Sequence, residues 1–143
     1  MADPERYLAL LEALRQALAT LVRYRETIPR EKLLADPDTQ NMVLFAMYRA
    51  VQGAIDLGQH YIAENRLPVA AAYRKVFAVL ADAGAIDAVL AGRLDAWGGL
   101  RNVIAHHYGV IDIALVADAL YEELPDLEAF AAAMAKHAPL REG

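Results

Sequence analysis

Two Asp-Pro pairs constrain this chain more than anything else in it. Asp3-Pro4 and Asp36-Pro37 each set an acceptor side chain before a proline. The acceptor caps free backbone N–H groups and the proline pre-sets the first helical turn. After the first pair, Tyr7, Leu11, Leu14, Leu18, Leu21 and Val22 recur at helical spacing, and the helix should end near Thr27, before Pro29. After the second, no proline occurs until Pro68, and Met47, Val51, Ala54 and Ile55 keep a stripe that predicts a long helix to about Glu64. Residues 29 to 36 read as a connection with room for a short turn.

The remaining punctuation follows the same logic. Asn65-Arg66-Leu67-Pro68 makes a turn, and a third helix spans about Val69 to Ala83, stopping at Gly84. Asp87 caps a fourth that should end at Gly109. Asp112 caps a fifth, with Ile113, Val116, Leu120, Leu124, Leu127, Phe130 and Met134 inward. Pro125 removes a backbone donor and should kink that helix near Tyr121. The tail after Pro139 is expected to fray. No strand-type alternation and no repeat occurs. The expected fold is all-α, an up-down bundle of about five helices in a single domain, residues 1–143.

Composition excludes several chemistries. The chain has no cysteine, which removes disulfides, thiol catalysis and cysteine metal sites. Its four histidines lack metal-ligand spacing, so neither a metal nor another cofactor is expected. No apolar run reaches the roughly 18 to 20 residues that span a membrane. The N-terminus is acidic and mixed, unlike a signal peptide, which makes a cytoplasmic protein the expectation. A net charge of −5 disfavours tight, non-specific nucleic-acid binding but permits a local basic cleft.

The chemistry-bearing stretch is Leu100-Arg101-Asn102-Val103-Ile104-Ala105-His106-His107-Tyr108-Gly109. A guanidinium is a fixed cation whose fork of donors suits phosphate. Histidine is the side-chain type that titrates nearest neutral pH. Together they suit RNA cleavage, with His106 as base for a 2′-hydroxyl and Arg101 facing the charge that builds on phosphorus. At about 100° per residue, Leu100, Val103, Ile104 and His107 share one stripe, read as the core face. His107 is then a packing residue and His106 the catalytic candidate. Arg101 and Tyr108 share another face. Arg101 and His106 lie about 140° apart, so two copies facing across a two-fold axis converge them better than one. Gly98-Gly99 permits either a close approach or a bend, and Trp97 reads as a core or interface anchor. On the second helix, Gln52, Asp56, Gln59 and His60 form either a solvent face or a polar wall beside the motif, where Asp56 would orient His106 or Arg101. Arg23, Arg25 and Arg30 read as a solvated helix end, or else as a partner-facing patch.

Arg101, Asn102, His106 and Tyr108 resemble the signature of the HEPN superfamily and, within it, of the HepT-like toxins: Arg, four residues, His, one residue, Tyr. Val51 to Ile62 resembles that family's second helix. Tyr73-Arg74-Lys75-Val76-Phe77 with Leu80 to Gly84 resembles its third. The similarity covers roughly residues 37 to 135. It implies a metal-independent toxin ribonuclease that acts on RNA by transesterification, as a homodimer with its paired motifs lining a cleft. It implies an MNT-type nucleotidyltransferase antitoxin as partner, able to transfer AMP to Tyr108. The supporting roles of Asn102 and Asp56 are expectations. The competing reading is a non-catalytic nucleotide-binding bundle, or an accessory subunit of a nucleotidyltransferase.

Overall fold

A computed structural model describes residues 3–139. Seven α-helices follow one another there: α1 (Pro4–Thr27), α2 (Arg30–Ala35), α3 (Pro37–Glu64), α4 (Val76–Asp82), α5 (Ala88–His106), α6 (Ile113–Asp118) and α7 (Leu124–Lys136). No strand occurs among the described residues. The expected helical bundle is what forms. The residues after Pro139, expected to fray, lie outside those described.

The caps act where the sequence put them. Asp3 accepts from the Arg6 N–H, Asp36 from Thr39, Asp87 from Leu90 and Asp112 from Ala114, each satisfying a donor the helix start leaves free. Gly84, at φ +80°, ends α4 in the left-handed region where glycine carries no side-chain penalty. The connection after Pro29 condenses into α2, whose Leu33 is fully buried. The expected third helix is shorter than read. Residues 69–72 are irregular, Tyr73–Lys75 form a 3₁₀ turn, and α4 begins only at Val76. Pro125 acts as expected. In a regular α-helix its ring would clash with the carbonyl four residues earlier, that of Tyr121, and the chain here widens into a π-type turn at Ala119–Glu123 between α6 and α7.

Helices α1 and α3 pack along their lengths and form the frame. Leu14, Leu21, Val43, Met47, Val51 and Ile55 are fully buried between them and their neighbours. Each such side chain contributes roughly 1.5–3 kcal/mol. The Tyr7 hydroxyl donates to the Met134 carbonyl at 2.7 Å, tying α1 to α7, and its burial pushes its pKa up. The basic cluster at the end of α1 resolves largely into structure. Arg30 pairs with Asp118 at 2.9 Å and Glu122 at 3.2 Å, and Arg25 with Glu128 at 3.5 Å.

Two glycines set inter-helix distances. A Cβ on Gly58 of α3 would lie 2.7 Å from Val76 Cγ1 and 3.1 Å from Leu80 Cδ1 of α4, both fully buried. A Cβ on Gly98 of α5 would lie 3.0 Å from the Arg74 Cβ and 3.3 Å from its Cα. The Gly98-Gly99 pair therefore serves close approach, of the Tyr73–Lys75 turn onto α5. Arg74 locks that turn by bonding Asp95 through Nε at 3.1 Å and Nη2 at 2.9 Å, which holds the Asp95 carboxyl below its ordinary pKa. Gly58→Ala should destabilise the protein by about 1–3 kcal/mol, since overpacking outweighs the gain in helix propensity. The check is the midpoint of urea unfolding; an unchanged or raised midpoint contradicts the packing described.

Candidate functional site

Arg101 is buried, with 8% of its surface exposed. Its Nε donates to Gln52 Oε1 at 2.9 Å, its Nη1 to Asn102 Oδ1 at 3.0 Å, and its Nη2 reaches the Tyr48 hydroxyl at 3.5 Å. Two aromatic rings lie against it. The guanidinium carbon is 4.8 Å from the Tyr73 ring centre and 5.3 Å from that of Tyr48, within cation–π range. A guanidinium has five N–H groups. Three are engaged, and two find no acceptor among the described residues. No carboxylate pairs with it there either, whereas Arg25, Arg30, Arg74 and Arg93 all face one.

This burial corrects the face assignment. The buried stripe of α5 is Leu90, Ala91, Leu94, Trp97, Gly98, Arg101 and Ile104. Leu100 and Val103, expected at the centre of the core face, are only half-buried. They line an open cavity of about 310 Å³ with Trp97, Ile111 and Leu115. The physical reason is what packs on each side: α3 and the Tyr73–Lys75 turn close over one side of α5, while the short α6 leaves the other partly open. The core face is thus turned by about one residue, roughly 100°.

His107 is exposed and not a packing residue. The helix also ends earlier than Gly109. His107 leaves helical geometry at φ −134° and ψ 37°, its N–H makes a last bond to Val103 at 2.8 Å, and Tyr108–Val110 form a 3₁₀ turn. His106 closes α5 in an exposed position, and none of the hydrogen bonds of Arg101 goes to it. Arg101 and His106 of one chain share no hydrogen bond.

Asp56 touches neither His106 nor Arg101 directly. It accepts from Gln52 Nε2 at 2.8 Å, and Gln52 passes the contact on to Arg101. The polar wall of α3 is real in its first half only. Its second half turns elsewhere: His60 faces Glu64 at 2.8 Å and the Tyr7 ring at 6.2 Å. Tyr108 is 51% exposed and its hydroxyl donates to Asn41 Oδ1. With Asn41, Phe45, Tyr48, Ile104 and Ala105 it lines an open pocket of about 430 Å³. Tyr48 thus links the two halves of the site, touching Arg101 and lining the Tyr108 pocket. Tyr48 and Tyr73 escaped sequence reasoning. The usable signal for Tyr48 is its place one helical turn before Gln52; for Tyr73 it is the family resemblance of its segment, which does not show the contact with Arg101.

Among the described residues no helix is long and apolar enough to cross a membrane, and no cluster of three or more His, Asp or Glu side chains is placed to hold an ion. His107→Ala should change stability by no more than about 0.5 kcal/mol, as for a surface position. Thermal unfolding checks this; a loss of several kcal/mol restores the packing role.

Comparison with known proteins places the chain in a family. The HepT-like family, described as "Ribonuclease HepT-like", matches residues 14–134. The mRNA nuclease HepT of Shewanella oneidensis is 28% identical over 91 residues, which cover 64% of this chain and 68% of that protein. Among solved structures, the fold is similar to the tri-AMPylated Shewanella oneidensis HEPN toxin in complex with MNT antitoxin. That match has a TM-score of 0.83 and 20% identity, over 95% of this chain and 99% of the other. It is equally similar to the cytosolic protein YutE of Bacillus subtilis, with a TM-score of 0.84 and 12% identity over 98% and 96% of the two chains.

Proposed function

Since this chain belongs to the HepT-like ribonuclease family, we propose that it is a toxin endoribonuclease that cleaves RNA without a metal and is held in check by a nucleotidyltransferase antitoxin. The observation that carries the reading is Arg101: a cation taken out of water, with no carboxylate partner among the described residues and two N–H groups to spare. Burying a charge costs several kcal/mol unless something compensates it. Neutral dipoles from Gln52 and Asn102 and the faces of Tyr48 and Tyr73 supply partial compensation. A phosphate supplies the rest.

In the reaction, His106 takes the proton of the 2′-hydroxyl, and the 2′-oxygen attacks the adjacent phosphorus. The two spare N–H groups of Arg101 stabilise the charge on the non-bridging oxygens. The P–O5′ bond breaks, the 5′-oxygen takes a proton from water or from a protonated histidine, and a 2′,3′-cyclic phosphate and a 5′-hydroxyl remain. His106 and Arg101 share no hydrogen bond within one chain, and a composite site, formed by two copies related by a two-fold axis, would bring them together. The face for that axis is the one carrying Met42, Phe45 and Tyr108, which are 43%, 65% and 51% exposed.

Tyr108 is the control point. A phenol makes a poor base at neutral pH, but Tyr108 is 51% exposed and shares its pocket with Tyr48, whose hydroxyl Arg101 reaches. Transfer of AMP from ATP forms a bond from the Tyr108 oxygen to the α-phosphorus and releases pyrophosphate. The adenylate sets an anion where Arg101 would hold RNA. That the similar Shewanella oneidensis HEPN toxin is tri-AMPylated supports AMP transfer as the means of control.

Purified protein should cleave RNA in EDTA at the rate seen without it; loss of activity that returns with a divalent ion overturns the metal-free mechanism. His106→Ala should reduce cleavage by about 10²- to 10⁴-fold, the contribution of a general base, and abolish growth arrest. Growth arrest by the unaltered protein also separates a nuclease from a silent accessory subunit. Tyr108→Phe should keep much of the cleavage activity and escape neutralisation when co-produced with the antitoxin. Mass spectrometry of the neutralised wild-type protein should find adenylate on Tyr108; a neutralised but unmodified Tyr108 means the antitoxin acts by occlusion.

A further inference from the structure

We propose that Tyr73 is a stacking platform for an unpaired RNA base next to the scissile phosphate, so that the enzyme selects single-stranded substrate. The proposal rests on the ribonuclease reading above and adds a determinant of specificity to it. Tyr73 lies outside the motif, in the 3₁₀ turn before α4, 28 residues upstream of Arg101. Its ring lies 4.8 Å from the Arg101 guanidinium carbon, closer than the Tyr48 ring at 5.3 Å. Yet Tyr73 is 47% exposed while Arg101 is 8% exposed. A ring that served only to cover the arginine would itself be covered. This one holds the cation on one side and offers the rest of its surface to solvent.

That pairing matches a nucleotide in its two halves. Arg101 has two N–H groups for a phosphate, and Tyr73 has an open aromatic surface beside it for the attached base. Base–aromatic stacking is worth roughly 1–3 kcal/mol per base and tolerates any base, because every base has a π-face. A base paired in an A-form duplex is not available for it, and sequence-specific proteins reach RNA bases mainly where they are unstacked. The turn is also rigid enough to act as a platform. Arg74 is doubly bonded to Asp95, and the turn backbone is seated against Gly98, which leaves no room for a side chain. The chain carries a net charge of −5, so general attraction for phosphate is weak and a stacked base is a larger share of affinity.

The test uses the full chain carrying His106→Ala, so that RNA survives the measurement, with a fluorescein-labelled single-stranded oligonucleotide and its matched duplex as probes. Tyr73→Ala should weaken single-strand binding by roughly 5- to 150-fold, the range for one stacked base, and weaken the duplex binding, which uses no stacked base, much less. Tyr73→Trp should bind the single strand and report it by quenching of the new indole, against a Trp97 that is 2% exposed. Tyr73→Leu keeps an apolar cover over Arg101 without a π-face and should behave as Tyr73→Ala. With His106 restored, the loss in Tyr73→Ala should fall on KM more than on kcat. Cleavage by the unaltered protein with an unchanged KM in Tyr73→Ala, or full binding in Tyr73→Leu, overturns the stacking role alone. Absence of RNA cleavage by the unaltered protein overturns the ribonuclease reading, and the stacking role with it.

Discussion

A guanidinium held out of water with neutral partners is the interaction around which this molecule is arranged. Most buried charges in proteins are neutralised by an opposite charge. Arg101 instead meets an amide oxygen from Gln52, another from Asn102, and two tyrosine rings. Every one of these partners except Asn102 comes from outside α5. The arrangement therefore exists only when α3 runs beside α5 and the Tyr73–Lys75 turn is clamped onto it. The long uninterrupted α3 supplies Tyr48, Gln52 and Asp56 from one side of a single helix, one turn apart. The Gln52–Asp56 bond orients the amide so that its oxygen, not its nitrogen, faces the arginine. A carboxylate directly on Arg101 would have bound it more tightly and occupied the donors that a phosphate needs.

The contrast with Arg74 makes the same point. That arginine lies nearby on the same side of α5 and is locked by Asp95 through two hydrogen bonds. It is a structural clamp, well paired and partly exposed. Arg74, packed onto α5, and Arg101, carried by it, thus have different roles, and the presence or absence of a carboxylate distinguishes them. Nothing in residue type alone would.

How far the sequence reaches follows from the range of each interaction. Caps, proline positions and apolar periodicity are local, and they located α1, α3 and the start of α5 to within a residue or so. The kink from Pro125 was legible for the same reason, being a clash within one turn. The face of α5 was not. Helical phase says which residues share a side, but which side is buried depends on what packs there. A small α6 and a clamped turn put Arg101 inward and left Leu100 and Val103 half-open. Helical phase puts His107 on the Leu100 stripe only if the helix runs to Gly109, and α5 ends at His106. Asp56 was placed near the motif but one residue short of touching it, because a glutamine relay is invisible without the third dimension. Tyr73 carried a family resemblance in its segment and no hint of its contact with Arg101.

Gly98 carries a consequence for anyone who alters this protein. Replacing glycines inside helices with alanine is a standard route to thermostability, worth roughly 0.5–1 kcal/mol when space allows. Position 98 invites it on propensity grounds, in the middle of α5 and itself no member of the Arg101–Tyr108 motif. The methyl group would press on Arg74, and the strain would travel to the adjacent Tyr73 and from there to the guanidinium it covers. Selection for melting temperature alone would retain such a change wherever its helical gain survives, while the aromatic ring drifts off its cation. In this bundle an absent side chain is part of the binding surface, and a screen that reads only heat resistance is blind to it.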